Sequence, residues 1–266
     1  MTEPPLPLLS CRGVRKSFGA MIAVKDLSFD IGKGEVLGIG GPNGAGKTTL
    51  FELISGLSPP DSGEILFEGR RIDQLRAHSI CHLGIARVFQ SNAAFDTLTA
   101  GQNVLIAAAY GKSAGGLPPL SFDKAIRIQA ESALDFVGYK KPLHAIVRNL
   151  PVLERKLLMI ASAIATQPKL LLMDEPVGGL NPEEINLVMG LVKKLIAAGV
   201  TIMLIEHVMR FLVQLSTRVI IMHHGEKIFE GPPQGLARDE TVKQVYLGEN
   251  MSRRIASYSI GQVPPA

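Results

Sequence analysis

Apolar positions in this chain fall into short blocks whose spacing changes along its length. Leu8 to Val14 and Ala23 to Ile31 alternate apolar with polar residues as half-buried strands do, the second interrupted by Lys25-Asp26 and closed by the turn Gly32-Lys33-Gly34. Val36 to Ile39 and Val200 to Ile205 are apolar runs, Ile85 to Gln90 is an apolar strand that ends in a polar amide, and Leu170 to Met173 reads as a strand buried in a parallel sheet. After the breaker cluster Gly56 to Gly63, Glu64 to Gly69 is a short alternating strand. Helical spacing marks Leu50 to Ile54, Val104 to Ala109, Ala125 to Val137 and Leu153 to Ala165. Asn181-Pro182-Glu183-Glu184 opens a further helix, with Asn as N-cap, Pro at N1 and acids in the first turn; it runs to about Ala198 and Gly199 closes it. Val219 to Met222 and Lys227 to Glu230 flank His223-His224-Gly225-Glu226 as a hairpin, and one amphipathic helix is expected from Gln234. Residues 91 to about 165, with a Gly/Pro/Ser-rich loop from Gly111 to Ser121, thus predict a helical subdomain inserted into an α/β core; 1–7 and 250–266 read as tails.

The strongest chemistry lies between the Val36 run and the Leu50 helix. Gly41-Pro42-Asn43-Gly44-Ala45-Gly46-Lys47-Thr48-Thr49 fits the pattern G-x-x-x-x-G-K-[ST], in which backbone N–H groups cradle phosphate oxygens. Lys47 is then the lysine that reaches the outer phosphates, and Thr48 supplies the hydroxyl for magnesium. The glycines are expected because the loop wraps an anion, often at positive φ, leaving no space for side chains before the helix N-terminus adds its dipole. Leu170 to Pro176 ends in Asp174-Glu175, at the strand end where α/β sheets hold ligands. Asp174 is placed to hold the magnesium shell and Glu175 to orient or deprotonate an attacking water, although two acids at a strand end also suit a turn cap. Gln90 serves equally as a magnesium or water contact or as a solvated strand end. Phe18 offers a face for a base, or belongs to the core. His207, ending the Val200 strand, is placed to report a γ-phosphate; His78, His82, His144, His223 and His224 have no such placement.

Composition narrows the partners. With 266 residues, 46% hydrophobic and 20% charged, the chain suits one large globular domain or a domain with a subdomain. No segment reaches about 18 uninterrupted apolar residues, and Met1-Thr2-Glu3-Pro4-Pro5 has neither a basic nor an apolar signal region, so the chain is expected to stay in the cytosol. A net charge of +4 without a Lys/Arg run, and no Trp, argue against nucleic acid. Cys11 and Cys81 lack metal-ligand spacing and suit small buried hydrophobes.

The order Phe18, phosphate loop, Gln90, helical insert, Leu-rich strand with Asp174-Glu175, Gly179-Leu180-Asn181 and His207 resembles the ATP-binding subunit of ABC transporters over residues 8–249. Leu204-Ile205-Glu206-His207 and Tyr246-Leu247-Gly248-Glu249 look most like the branched-chain amino acid import group, the LivG type. The resemblance implies an α/β fold: a P-loop NTPase (RecA-like) core with an N-terminal antiparallel β subdomain and the helical insert at about 91–165. It also implies ATP and Mg2+ as ligands, adenine stacked on Phe18, Gln90 as the Q-loop residue coupling magnesium to a permease, Glu175 as catalytic carboxylate and His207 as switch histidine. Asn181 would mark the D-loop crossing a dimer interface. The partners implied are transmembrane permeases, met by Ser91 to Val104, a second ATPase subunit and, indirectly, a periplasmic binding protein, at the cytoplasmic face of the inner membrane. Urea and lipopolysaccharide transport ATPases are relatives on the same pattern. A repair or translation ATPase would bring tandem cassettes or a basic face, and a P-loop kinase or GTPase has no place for His207 and the inserted helices.

One motif departs from the family. Leu-Ser-Gly-Gly-Gln is replaced by Leu150-Pro151-Val152-Leu153-Glu154. The Ser hydroxyl is gone, Pro151 donates nothing, Val152 and Leu153 add bulk, and Glu154 sets a carboxylate near a phosphate. The helix should survive, since Pro suits a first turn, but its service to ATP on the opposite subunit should not. An asymmetric pair follows as the expectation, with this chain alone binding Mg-ATP and hydrolysing it poorly. A nucleotide-binding, weakly hydrolysing partner is the alternative role.

Overall fold

The computed structural model describes residues 6–90, 94–111 and 122–247 of the chain. Of the expected tails, residues 1–5 and 250–266 lie outside them, as do most of the loop from Gly111 to Ser121, the first three residues of the segment 91–104 and Gly248-Glu249.

Strands β1 (Leu9–Phe18), β2 (Met21–Ile31), β4 (Ser62–Phe67) and β5 (Arg70–Arg71) form an antiparallel sheet in the order β2-β1-β4-β5. A second sheet has β3 (Val36–Gly40), β6 (Ile85–Val88), β7 (Leu170–Asp174), β8 (Thr201–Ile205), β9 (Arg218–His223) and β10 (Glu226–Gly231) in the order β10-β9-β3-β8-β7-β6. All its neighbours are parallel except β9 and β10. The continuous apolar runs are explained by burial on both faces. Leu170 and Leu172 of β7 pack with the antiparallel sheet and helix α1 (Lys47–Ile54), while Leu171 and Met173 pack with the helices on the other side. In β8, Met203 and Ile205 face the first core and Ile202 and Leu204 the second.

Helices α3 (Ala100–Tyr110), α4 (Lys124–Val137) and α5 (Val152–Ala165) pack on one another, and α5 also rests on β6, so it belongs to the insert on one side and to the core on the other. Helix α6 (Pro182–Ala197) starts as expected: the Asn181 side chain accepts from the N–H groups of Glu183 and Glu184, and Glu184 returns a bond to the Asn181 N–H. The β9–β10 turn is His224-Gly225 with φ of +48° and +79°, the two positive values that a type I′ hairpin needs.

Two expectations are corrected, and two helices appear that the sequence pattern did not announce. β1 runs on to Phe18 because register shifts after Cys11 and Val14 break the alternation without ending the strand. Helix α2 (Ala77–Leu83) buries only Ile80, so it left no apolar stripe. Helix α7 (Met209–Leu215) buries five of its seven residues and left no polar face to set a period. The stretch from Gln234 is not one helix but a 3-10 turn at Pro233–Gly235, a single turn at Glu240–Val242 and a π segment at Lys243–Leu247, interrupted by the Asp239 N-cap.

Candidate active site

The phosphate loop joins β3 to α1 at the carboxyl edge of the parallel sheet. Gly41, Gly44 and Gly46 have φ of +138°, +78° and +97°, the region where only glycine is unstrained. Their reasons differ. A Cβ on Gly41 would stand 2.1 Å from the Met222 carbonyl oxygen and one on Gly46 2.0 Å from that of Ala23, so neighbouring strands, rather than a phosphate, exclude side chains there. Around Gly44 nothing lies within 4 Å, and it is exposed together with Asn43 and Thr48. Ala45 is buried, Pro42 and Thr49 half-buried. Lys47 is buried, and its ammonium donates to the carbonyls of Gly41 and Pro42 at 2.8 and 2.9 Å. Burial lowers its pKa, against the opposing pull of Glu175 and Asp174.

The acids that end β7 part company. Asp174 is buried, and its Oδ2 accepts from Arg87 Nη2 at 2.8 Å while Oδ1 has no protein partner. Burial raises its pKa, with Arg87 and Lys47 pulling the other way. An unpartnered buried carboxylate oxygen beside a phosphate loop and the exposed Thr48 hydroxyl fits the hard, oxygen-rich shell that magnesium takes with one protein carboxylate and nucleotide phosphates. Among the described residues no group of three His, Cys, Asp or Glu could hold a metal.

Glu175 leaves the strand in the left-handed region, φ +48°, with its N–H still bonded to the Ile205 carbonyl at 2.9 Å. Its carboxylate is bracketed. Gln90 Nε2 donates to Oε2 at 2.6 Å, and His207 Nε2 stands 2.7 Å from Oε1, so the ring must carry its proton on that nitrogen. Gln90 and His207, separated by more than a hundred residues, meet on one carboxylate. The turn-cap alternative for the two acids is set aside by these partners. Phe18 sits at the β1–β2 hairpin end, 47% exposed, with the Lys16 ammonium 5.6 Å from its ring centroid, so it is not core.

Three further residues adjoin these groups. Lys156, buried on α5, donates to the carbonyls of Glu175 at 2.9 Å and Gln90 at 3.4 Å. Glu206, buried, accepts from the N–H groups of Val177, His207 and Val208, tying the segment after Glu175 to the His207 turn. Tyr246 packs beside the phosphate loop, 3.3 Å from where a Gly40 Cβ would lie. Nothing local marks Lys156, which only adjacency across elements reveals, whereas Glu206 and Tyr246 fall in the two stretches that carry the family resemblance. At the departing motif α5 does begin, with Pro151 as N-cap and no side-chain cap; Val152 is 52% exposed and Glu154 pairs with Lys141 at 3.5 Å.

The ABC transporter family model matches residues 24–178, the span from β2 through both acids of β7. The chain belongs to the ABC transporter family. It is 32% identical over 251 residues to the high-affinity branched-chain amino acid transport ATP-binding protein LivG of Salmonella typhimurium, covering 91% of this chain and 98% of that one. The lipopolysaccharide export system ATP-binding protein LptB of Acidithiobacillus ferridurans is also 32% identical, over 91% of this chain and 97% of its own length. Among solved structures, the ADP conformation of the ATP-binding cassette MJ1267 superposes with a TM-score of 0.81 at 29% identity, over 92% of this chain and all of that one. This ABC cassette is an ATPase subunit with the P-loop NTPase fold, and among its described residues no helix is long and apolar enough to cross a membrane.

Proposed function

We propose that this cassette is the ATP-hydrolysing motor of an importer for branched-chain or related amino acids, working at the cytoplasmic face of the inner membrane with transmembrane permeases and, indirectly, a periplasmic binding protein. The observation that carries the motor reading is the Glu175 carboxylate held between Gln90 and His207. Lys47 and the loop N–H groups bind the phosphates, Phe18 takes the adenine, and Glu175 orients a water toward the γ-phosphate while accepting its proton. His207, fixed through Glu206, steadies the carboxylate and the charge that develops on the phosphate. Thr48, Asp174 and Gln90 would hold magnesium, which supplies charge neutralisation between the phosphates. The likeness to LivG supports the amino acid cargo, and the equal identity to LptB makes lipopolysaccharide export the competing one.

The described part of the segment assigned to the permease, Ala94 to Val104, borders a cleft of about 400 Å³ lined by Cys81, Phe89, Phe95, Ile106 and Met159. Its apolar walls suit a helix from a membrane partner.

The exposed Val152 and the missing hydroxyl support a heterodimer with a second cassette that carries an intact signature. The test is ATP turnover and amino acid uptake in vesicles holding the assembled complex, against this chain alone. Slow hydrolysis alone, restored by the partner and abolished by Glu175→Gln, is expected; vigorous turnover by the isolated homodimer overturns the asymmetry, and cargo-stimulated turnover by lipopolysaccharide instead of amino acids overturns the cargo.

A further inference from the structure

Arg87 has no part in the chemistry above, yet its side chain is almost fully enclosed. Its side chain is 6% exposed on β6, three residues before Gln90. Arg87 stands opposite Leu172 in the β6–β7 register, so it reaches diagonally to Asp174, the next residue on the same face. Nη2 donates to Asp174 Oδ2 at 2.8 Å and Nη1 to the Ser55 hydroxyl at 3.4 Å, at the C-terminal end of α1. The guanidinium carbon lies 4.8 Å from the ring centroid of Phe89 and 5.7 Å from that of Phe51, within cation–π range of both. One side chain therefore touches the helix of the phosphate loop, the strand that ends in Asp174 and the strand that leads to Gln90.

A carboxylate on a short side chain turns freely unless one oxygen is held. Here Oδ2 is held and Oδ1 is the oxygen left over, buried and unpartnered. We propose that Arg87 is a positioning residue for the magnesium shell: by fixing Oδ2 it presents Oδ1 to the metal, and through Phe89 it ties that orientation to the segment carrying Gln90. A planar fork is what the task needs, because two N–H groups must serve Asp174 and Ser55 at once while the charge stays near two aromatic rings; a lysine offers the charge without the fork. Partners of this kind behind a metal ligand set affinity for the ion without touching it.

The inference rests on the magnesium role proposed for Asp174, and the experiment separates the two. Binding of a methylanthraniloyl-labelled ADP to the full chain is followed by fluorescence, first with EDTA and then across a MgCl2 titration; Mn2+ binding in the presence of ADP is read by EPR. With EDTA, Arg87→Met should bind the nucleotide as the wild type does, since the phosphate loop is untouched. The metal concentration for half-maximal effect should rise about tenfold, as outer-shell substitutions do. Arg87→Lys should rise less, about threefold, and if Arg87→Met fails to fold this charge-preserving variant decides alone. In an Asp174→Asn background, Arg87→Met should add nothing. An unshifted metal requirement in the folded Arg87 variants, or an equal loss of EDTA-phase affinity, overturns the positioning role. A wild type whose nucleotide binding ignores metal overturns the magnesium assignment and the inference together.

Discussion

The Lys156 ammonium donates to the backbone carbonyl of Glu175 at 2.9 Å, so the helix that begins in the altered signature is fastened to the residue whose carboxylate Gln90 and His207 bracket. The bond also holds a backbone in the left-handed region, where a non-glycine residue is strained. Burial lowers the lysine's pKa, opposed by Glu206, Glu175 and Asp174.

Lys156→Met keeps the length of that side chain and removes the donor. Nucleotide affinity should stay within about twofold, because the phosphate loop is not involved, while ATP turnover by the assembled complex falls about tenfold as Glu175 loses its anchor. Steady-state kinetics on the complex check this, and an unchanged turnover number would detach Lys156 from the site.

Glu175→Gln keeps the size of the side chain and removes the carboxylate proposed as the base. Hydrolysis should drop at least about a hundredfold, the usual range for losing a positioned base, with Mg-ATP still retained. Filter binding of radiolabelled ATP alongside phosphate release measures both quantities, and a variant that still turns over briskly would assign the water to another group.

The glycines of the loop should separate by cause. Gly46→Ala drives a Cβ to 2.0 Å from the Ala23 carbonyl oxygen, and should cost about 3 kcal/mol of stability together with nucleotide binding. Gly44→Ala meets no neighbour and should cost only about 1 kcal/mol of left-handed strain. Urea unfolding curves for the two variants provide the comparison.

Away from the site, burial alone would raise the pKa of Asp73, but hydrogen bonds from Arg71 and from the Ile65 N–H outweigh it and hold the carboxyl below its ordinary value. A depressed folded pKa stabilises above the unfolded value and is lost as pH falls through the folded one. Asp73→Asn should therefore cost about 1 kcal/mol at neutral pH, allowing for the solvent exposure of Arg71, and the difference should begin to shrink only as pH falls below the ordinary carboxyl value of about 4, closing once it has passed the lower folded value. A series of denaturation curves from pH 7 downward through that range would show it.

Much of this was legible along the chain because it is local. The spacing of Gly41, Gly46, Lys47 and Thr48, the paired acids after Leu172-Met173 and the Asn181-Pro182 helix start each put their cause within a few residues. A phosphate loop and a helix cap are short-range devices, so a linear string carries them whole. Helix α7 escaped because burial of five of its seven residues blurs the period that betrays a helix, and α2 because a single buried residue sets none. What tertiary structure alone decided is which groups touch. Gln90 and His207 were named separately, but that both close on Glu175 depends on the order β8-β7-β6 bringing three strand ends side by side. Arg87, Lys156 and Glu206 owe their roles to packing between elements far apart in sequence, and a buried charge acquires its meaning only from the partner that folding brings to it.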